Sequence, residues 1–216
     1  MILLFSAISY ASPAWYAPDA ADHSSLELGI GPTVVLRGDT VPAGGRVDLT
    51  FSSGRSALFA TGSFLASAQP DGFATLGYRV QVLSGPFHLA PFVSFAGHFG
   101  SSYLDNRLTG RLGIALEGGG EHWRADLSLP LVGAAWFPAP KVEEHFSLLY
   151  PIEFALTIEA GLSYHINPQH RLRLGLVGIF PALSYRYDAP TGWLAEVLAG
   201  TMGRNSLFQA RWGWRW

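Results

Sequence analysis

Residues Ser206–Trp216 read SLFQARWGWRW, and their spacing is that of a strand. Phe208, Ala210, Trp212, Trp214 and Trp216 fall on one parity, whereas Gln209, Arg211 and Arg215 fall on the other. Successive side chains of a strand point to opposite faces, so one face is aromatic and the other charged. In a soluble protein, three tryptophans on one side of a terminal strand would normally face a core.

The same alternation runs through the chain upstream. Leu26, Leu28, Ile30, Val34 and Leu36 oppose Glu27, Thr33 and Arg37, and Val47, Leu49 and Phe51 oppose Arg46, Asp48 and Thr50. Leu76, Tyr78, Val80 and Val82 oppose Arg79 and Gln81. Phe87, Leu89, Val93, Phe95 and Phe99 oppose His88, Ser94 and His98, with Phe92 an exception on the polar face. Leu108, Leu112, Ile114 and Leu116 oppose Thr109, Arg111 and Glu117, and Trp123, Leu127, Leu129 and Leu131 oppose Arg124, Asp126 and Ser128. Ile152, Phe154, Leu156, Ile158, Leu162 and Tyr164 oppose Glu153, Glu159, Ser163 and His165, and Leu172, Leu174 and Leu176 oppose Arg171 and Arg173. Trp193, Ala195 and Val197 oppose Glu196. Residues 56–67 are apolar on both parities, which leaves their register open, and Leu183, Tyr185 and Tyr187 read as a short strand or a loop. No helical period competes over a comparable length.

Composition narrows the class. Hydrophobic residues make up 49% of the 216 residues and charged residues 14%, against roughly 25% charged in soluble domains. No run reaches the roughly 18 apolar residues of a membrane-spanning helix. The hydrophobicity must therefore be spread by alternation or buried in a large core. A net charge of −2 carries no nucleic-acid footprint, and the absence of cysteine removes disulfides and thiolate chemistry. Residues 1–22 read as a signal-like segment, apolar from Ile2 to Ile8, with cleavage expected after Ala11 or Ala17. Residues 23–216 form one domain.

Alternating segments of about ten residues between turns, closing on an aromatic C-terminal strand, resemble the small bacterial outer-membrane β-barrels. The resemblance is to a class, and it rests on the pattern of Ser206–Trp216 and of the segments above. It implies an all-β, up-and-down antiparallel transmembrane barrel in the bacterial outer membrane, in contact with its lipids and assembled by machinery that reads the C-terminal strand. Eleven segments are countable, and an even number is needed if both termini lie on one side. Taking Ala182–Asp188 as its own strand gives twelve; ten and eight are the alternatives. The loops Gly38–Gly45, Ser101–Arg107 and Gly133–Leu149 then fall at one end, available to a protein partner. The turns Gly118–Gly120 and Asn167–Gln169 fall at the other.

If the apolar parities meet lipid, the polar parities line the interior. They place Arg46, Asp48, Arg79, Arg111, Glu117, Arg124, Asp126, Glu153, Glu159, Arg171, Arg173, Glu196, Arg211 and Arg215 inside. The cations on these rows are all arginine, which keeps its charge when desolvated and binds carboxylates bidentately. The expected function is structural or porin-like, a plugged or narrow pore. Trp123, Tyr164, Trp193, Trp212, Trp214 and Trp216 are expected at the membrane–water interface, where a ring with an apolar body and a polar edge is at home.

Two other classes compete. Lipid hydrolases occur among outer-membrane barrels, and Glu153, Glu159, Ser163 and His165 share one row. However, Ser163 and His165 would stand roughly 6–7 Å apart along the strand, beyond nucleophile–base contact. No catalytic residue is assigned. A soluble lipocalin-like barrel would turn the apolar parity inward. His88, His98, His122, His145, His165 and His170 lack the usual metal-ligand spacings, so no metal or cofactor is expected.

Overall fold

The computed structural model describes residues 24–37, 41–66, 71–100, 107–137, 145–148, 158–177, 180–202 and 205–216. The signal-like segment and Glu153 lie outside these residues. Among these residues thirteen strands are formed: β1 (Ser25–Arg37), β2 (Ala43–Ser53), β3 (Ser56–Ala66), β4 (Asp71–Val80), β5 (Phe87–Gly100), β6 (Arg107–Gly119), β7 (Trp123–Phe137), β8 (His145–Leu148), β9 (Glu159–Asn167), β10 (His170–Val177), β11 (Phe180–Asp188), β12 (Trp193–Met202) and β13 (Asn205–Arg215).

Every pairing is antiparallel, and strands consecutive in sequence pair with one another except β8 and β9. The sheet closes where β1 meets β13, with Leu28 opposite Trp214 and Val34 opposite Phe208. Both β8 and β9 pair with the same edge of β7, at Ala134–Phe137 and Trp123–Ser128 respectively. They therefore share one position of the ring, and the barrel has twelve. Pairing of the first strand with the last closes the ring, the condition for crossing a bilayer with strands.

Burial settles which parity faces which way. On β1, Glu27 and Thr33 are 3% and 0% exposed, while Leu28 and Ile30 between them are 37% and 54% exposed. The apolar rows face outward and the polar rows inward on strand after strand. This is the reverse of a lipocalin-like interior, and that alternative is overturned.

β3 resolves its ambiguous register by directing Ala57, Phe59 and Leu65 inward, with Leu58 and Phe64 outward. Phe59 covers Gly77, its partner on β4, and Phe92 does the same to Gly113 on β6. Phe92 breaks the polar pattern because its ring fills the space above a residue that has no side chain. Val35 and Leu65 pack inside with Leu207, forming a small apolar core away from the termini.

The stretch Gly133–Leu149, expected to be irregular, is largely strand in its described part: β7 runs to Phe137, and His145–Leu148 pairs back on it. The cause is a bulge. Pro130 pairs with Gly113 and Val132 with Leu112, so Leu131 is the extra residue and both Leu131 and Val132 face outward. Beyond it the simple period is out of phase. The expected loop Gly38–Gly45 is also shorter, because Ala43–Gly45 pairs with Pro32–Val34 and Pro42 accepts a bond from the Val35 amide at 2.9 Å.

The turns beside the termini are tight. Gly54, at φ 55°, opens the two-residue connection of β2 and β3, a place where a side chain would strain the backbone. The expected turns Gly118–Gly120 and Asn167–Gln169 lie at this same end, whereas the expected loop Ser101–Arg107 lies, but for Arg107, outside the described residues.

Candidate functional site: the charged lumen

The inward rows of β1, β2 and β11–β13 converge on Glu27. Arg186, on β11, donates to both its oxygens, through Nη1 to Oε1 at 3.2 Å and Nη2 to Oε2 at 2.9 Å. Two strands separate β11 from β1 in the ring, so this pair bridges part of the interior. Arg211 donates to Glu27 Oε1 at 2.6 Å, and Arg215 to Oε2 at 2.8 Å. One carboxylate therefore serves three guanidinium groups, and both its oxygens are used.

Arg186 also forks onto Asp188, with Nε at 2.9 Å and Nη2 at 2.7 Å. Arg46 grips Asp48 on its own strand at 2.8–2.9 Å, and the Thr61 hydroxyl adds a bond at 2.8 Å. Arg211 stands 3.8 Å from Asp48 and 3.7 Å from Glu196, joining these groups into one network. Pairing of this kind is what allows charge to be buried at all, since removing one partner leaves the others without water or counter-charge.

Elsewhere the pairs are smaller. Arg173 forks onto Asp126 across β9, with its guanidinium lying over Gly161 and Gly175. A Cβ at Gly161 would occupy the guanidinium's place. Arg124 reaches Glu117 at 3.4 Å. Arg111 is buried beside Arg107 and His98, and Glu159 is 0% exposed. Among the described residues, Arg79 and Arg171 face inward, donate no hydrogen bond and have no carboxylate within 4.0 Å.

The network thus brings together Arg46, Asp48, Glu196, Arg211 and Arg215 of the expected residues, and adds Glu27, already on a polar row. Its hub, Arg186, and its partner Asp188 were not anticipated. The signal was present in Ser184, Arg186 and Asp188 opposing Leu183, Tyr185 and Tyr187. It could not be used while that segment remained open between strand and loop.

The interior is filled unevenly. Thr33, Leu194, Glu196 and Leu198 are buried against the network, whereas the inward Thr61, Ser63 and Thr75 of β3 and β4 keep partial exposure. So do Arg79, Phe92, Glu117 and Arg171 toward the turn end. Ser163 is buried opposite Arg124 and Arg173 and makes no hydrogen bond to His165. Among the described residues no three His, Asp or Glu side chains gather as a metal site would require.

Outside, the tyrosines and most of the tryptophans among the described residues lie toward the end carrying the tight turns and the C-terminus, while Phe64, Phe99 and Phe208 lie toward the other. Trp123 lies against Tyr164 with ring centroids 4.6 Å apart, Trp193 edges onto Tyr187 at 5.3 Å, and Trp214 neighbours Trp216 at 6.3 Å. Trp212 sits one outward position further from that end and is 54% exposed.

No protein-family model and no curated protein matches the chain. Solved structures do. The chain is similar to the KdgM porin in complex with disordered oligogalacturonate, at TM-score 0.57 and 11% identity over 87% of this chain and 98% of that one. It is similar to an outer-membrane channel from Pseudomonas putida F1, at TM-score 0.53 and 12% identity over 89% and 95%. It is also similar to the outer-membrane phospholipase of Salmonella typhi, a dimer with bound calcium, at TM-score 0.53 and 8% identity over 87% and 90%. Identities this low speak to architecture alone, and the architecture is clear: the chain has the fold of the bacterial outer-membrane β-barrels.

Proposed function

We propose that this protein is a narrow, porin-like channel of the outer membrane, lined by arginine–carboxylate pairs and passing small polar solutes. The observation that carries the reading is the uneven filling of the interior. The ion-pair network closes the wall over β11–β13, β1 and β2, while Thr61, Ser63 and Thr75 on β3 and β4, and Arg79, Glu117 and Arg171 toward the turn end, keep partial access to solvent. A barrel of this size stands between those filled by side chains and the wide porins. A charge-lined passage beside a packed wall is the expected compromise.

Lipid covers the outward apolar rows, Trp123, Tyr164, Trp193, Trp212, Trp214 and Trp216 form the girdle at one interface, and the assembly machinery reads β13. The connections at the opposite end are the surface a protein partner would meet. Lipid hydrolysis has no comparable support, because among the described residues no hydrogen bond joins Ser163 to His165. Planar-bilayer recording of the refolded barrel tests the reading. Reproducible single-channel steps are expected, and a folded preparation that inserts but never conducts would leave only a structural scaffold.

A further inference from the structure

We infer that Arg79 and Arg171 form an anion-binding station in the lumen, near the turn end, for small oxyanions: carboxylates, phosphates or sulfates. Its role in transport rests on the channel reading above.

The argument begins with charge. Among the described inward-facing residues there are ten arginines: 46, 79, 107, 111, 124, 171, 173, 186, 211 and 215. Seven carboxylates face them: 27, 48, 117, 126, 159, 188 and 196. The formal excess is three positive charges. Glu27 and Asp188 are committed to Arg186 and Arg215, Asp48 to Arg46, and Asp126 to Arg173.

Among the described residues, Arg79 and Arg171 hydrogen-bond to no carboxylate, although Glu117 acts on both from further off. Each lies one residue from its strand's turn end, on β4 and β10, five positions apart in a ring of twelve. That places them across the lumen from one another. Both sense the Glu117 carboxylate, which Arg124 already holds at 3.4 Å. Arg171 is further set between Arg186 on one hand and Asp188 and Glu196 on the other.

A guanidinium carries five N–H donors in a planar fork. Among the described residues, two such forks have no protein acceptor yet remain partly reachable from the lumen. An oxyanion supplies what they lack, because its paired oxygens match the fork and its charge offsets theirs. Enclosure by protein strengthens the attraction relative to bulk water. Glu117 limits it, so that a bound anion can leave again, which conduction requires.

The test is the reversal potential of the refolded barrel in a potassium chloride gradient. Anion selectivity is expected. Arg79→Gln and Arg171→Gln should each lower the chloride-to-potassium permeability ratio about threefold, the scale of one unit charge acting through a wet lumen. Arg79→Lys and Arg171→Lys should retain most of the ratio, and Glu117→Gln should raise it. Arg55→Gln, in an exposed turn, should leave it unchanged. Cation selectivity, or a double glutamine variant with an unaltered ratio, overturns the station while leaving the channel standing.

A barrel that folds but does not conduct defeats the channel reading, and the station is then decided by chemistry alone. Phenylglyoxal should modify Arg79 and Arg171 ahead of Arg186 in the detergent-folded protein, and inorganic phosphate should slow both without slowing Arg55. Absence of that protection overturns the station.

Discussion

Glu27 is where the interior is most sensitive to a single atom. Its two oxygens accept from Arg186, Arg211 and Arg215, and it is 3% exposed. Glu27→Gln leaves three guanidinium groups facing a neutral amide. Breaking a buried pair in this way costs about 3–5 kcal/mol, and the urea midpoint of the refolded barrel should fall accordingly. Arg215→Gln should cost at most about 1 kcal/mol, because the Arg215 side chain is 37% exposed and water replaces its partner. Glycines supply a second contrast. Gly161→Ala places a methyl where the Arg173 guanidinium lies and should cost about 1–3 kcal/mol through the lost Asp126 pairing, whereas Gly62→Ala meets open space and should be neutral within error. Which residues face the lumen was legible in the sequence, because parity assigns Arg46, Asp48, Arg173 and Arg211 without any coordinates. Which carboxylate serves which arginine was not. Arg186 and Glu27 are 159 residues apart, and only closure of the ring brings them within reach.

At the scale of the strand, period two carried most of the fold and failed at identifiable places. It failed on β3, where Phe59 and Leu65 line the interior, because packing against Gly77 and Val35 replaced the polar signal. It failed after Leu131, because an extra residue resets the phase and disguises the end of β7 as loop. The bulge yields a prediction. Deleting Leu131 removes the spare residue and leaves Val132, Ala134 and Trp136 on the faces they already occupy, so the barrel should still fold. Deleting Ile114 from β6, which is the regular partner across the bulge, inverts one half of that strand. Either Arg107 and Arg111 or Glu117 would then turn to the lipid side. A basic side chain there costs about 2–4 kcal/mol near the bilayer middle, and the inward packing is lost as well. Heat-modifiable migration on a gel distinguishes the outcomes: the Leu131 deletion should keep a compact band that shifts on boiling, and the Ile114 deletion should lack it.

For the whole molecule, the decisive fact is that large apolar side chains cover the outside and charge occupies the inside, an arrangement that water alone would not tolerate. Ile30, Leu174, Phe95 and Trp212 are 54%, 63%, 62% and 54% exposed around the ring. Lipid is the solvent that matches this surface, and the match fixes how deep each residue should sit. β13 runs toward the turn end, so Trp212, Trp214 and Trp216 mark successive depths on one outward row. Four residues of strand span about 13 Å, and a tilt of roughly 40° leaves about 10 Å along the membrane normal. Trp216 should therefore lie among the headgroups, with Trp212 about 10 Å further into the hydrocarbon. Single-tryptophan variants in liposomes read this directly. Bromines placed deep on the acyl chains should quench Trp212 strongly and Trp216 weakly, and bromines near the headgroups should reverse the order. Equal quenching of the two by both lipids would mean that β13 lies along the membrane surface. Red-shifted emission with no quenching would mean that the barrel does not enter the bilayer, and the channel reading would fall with it.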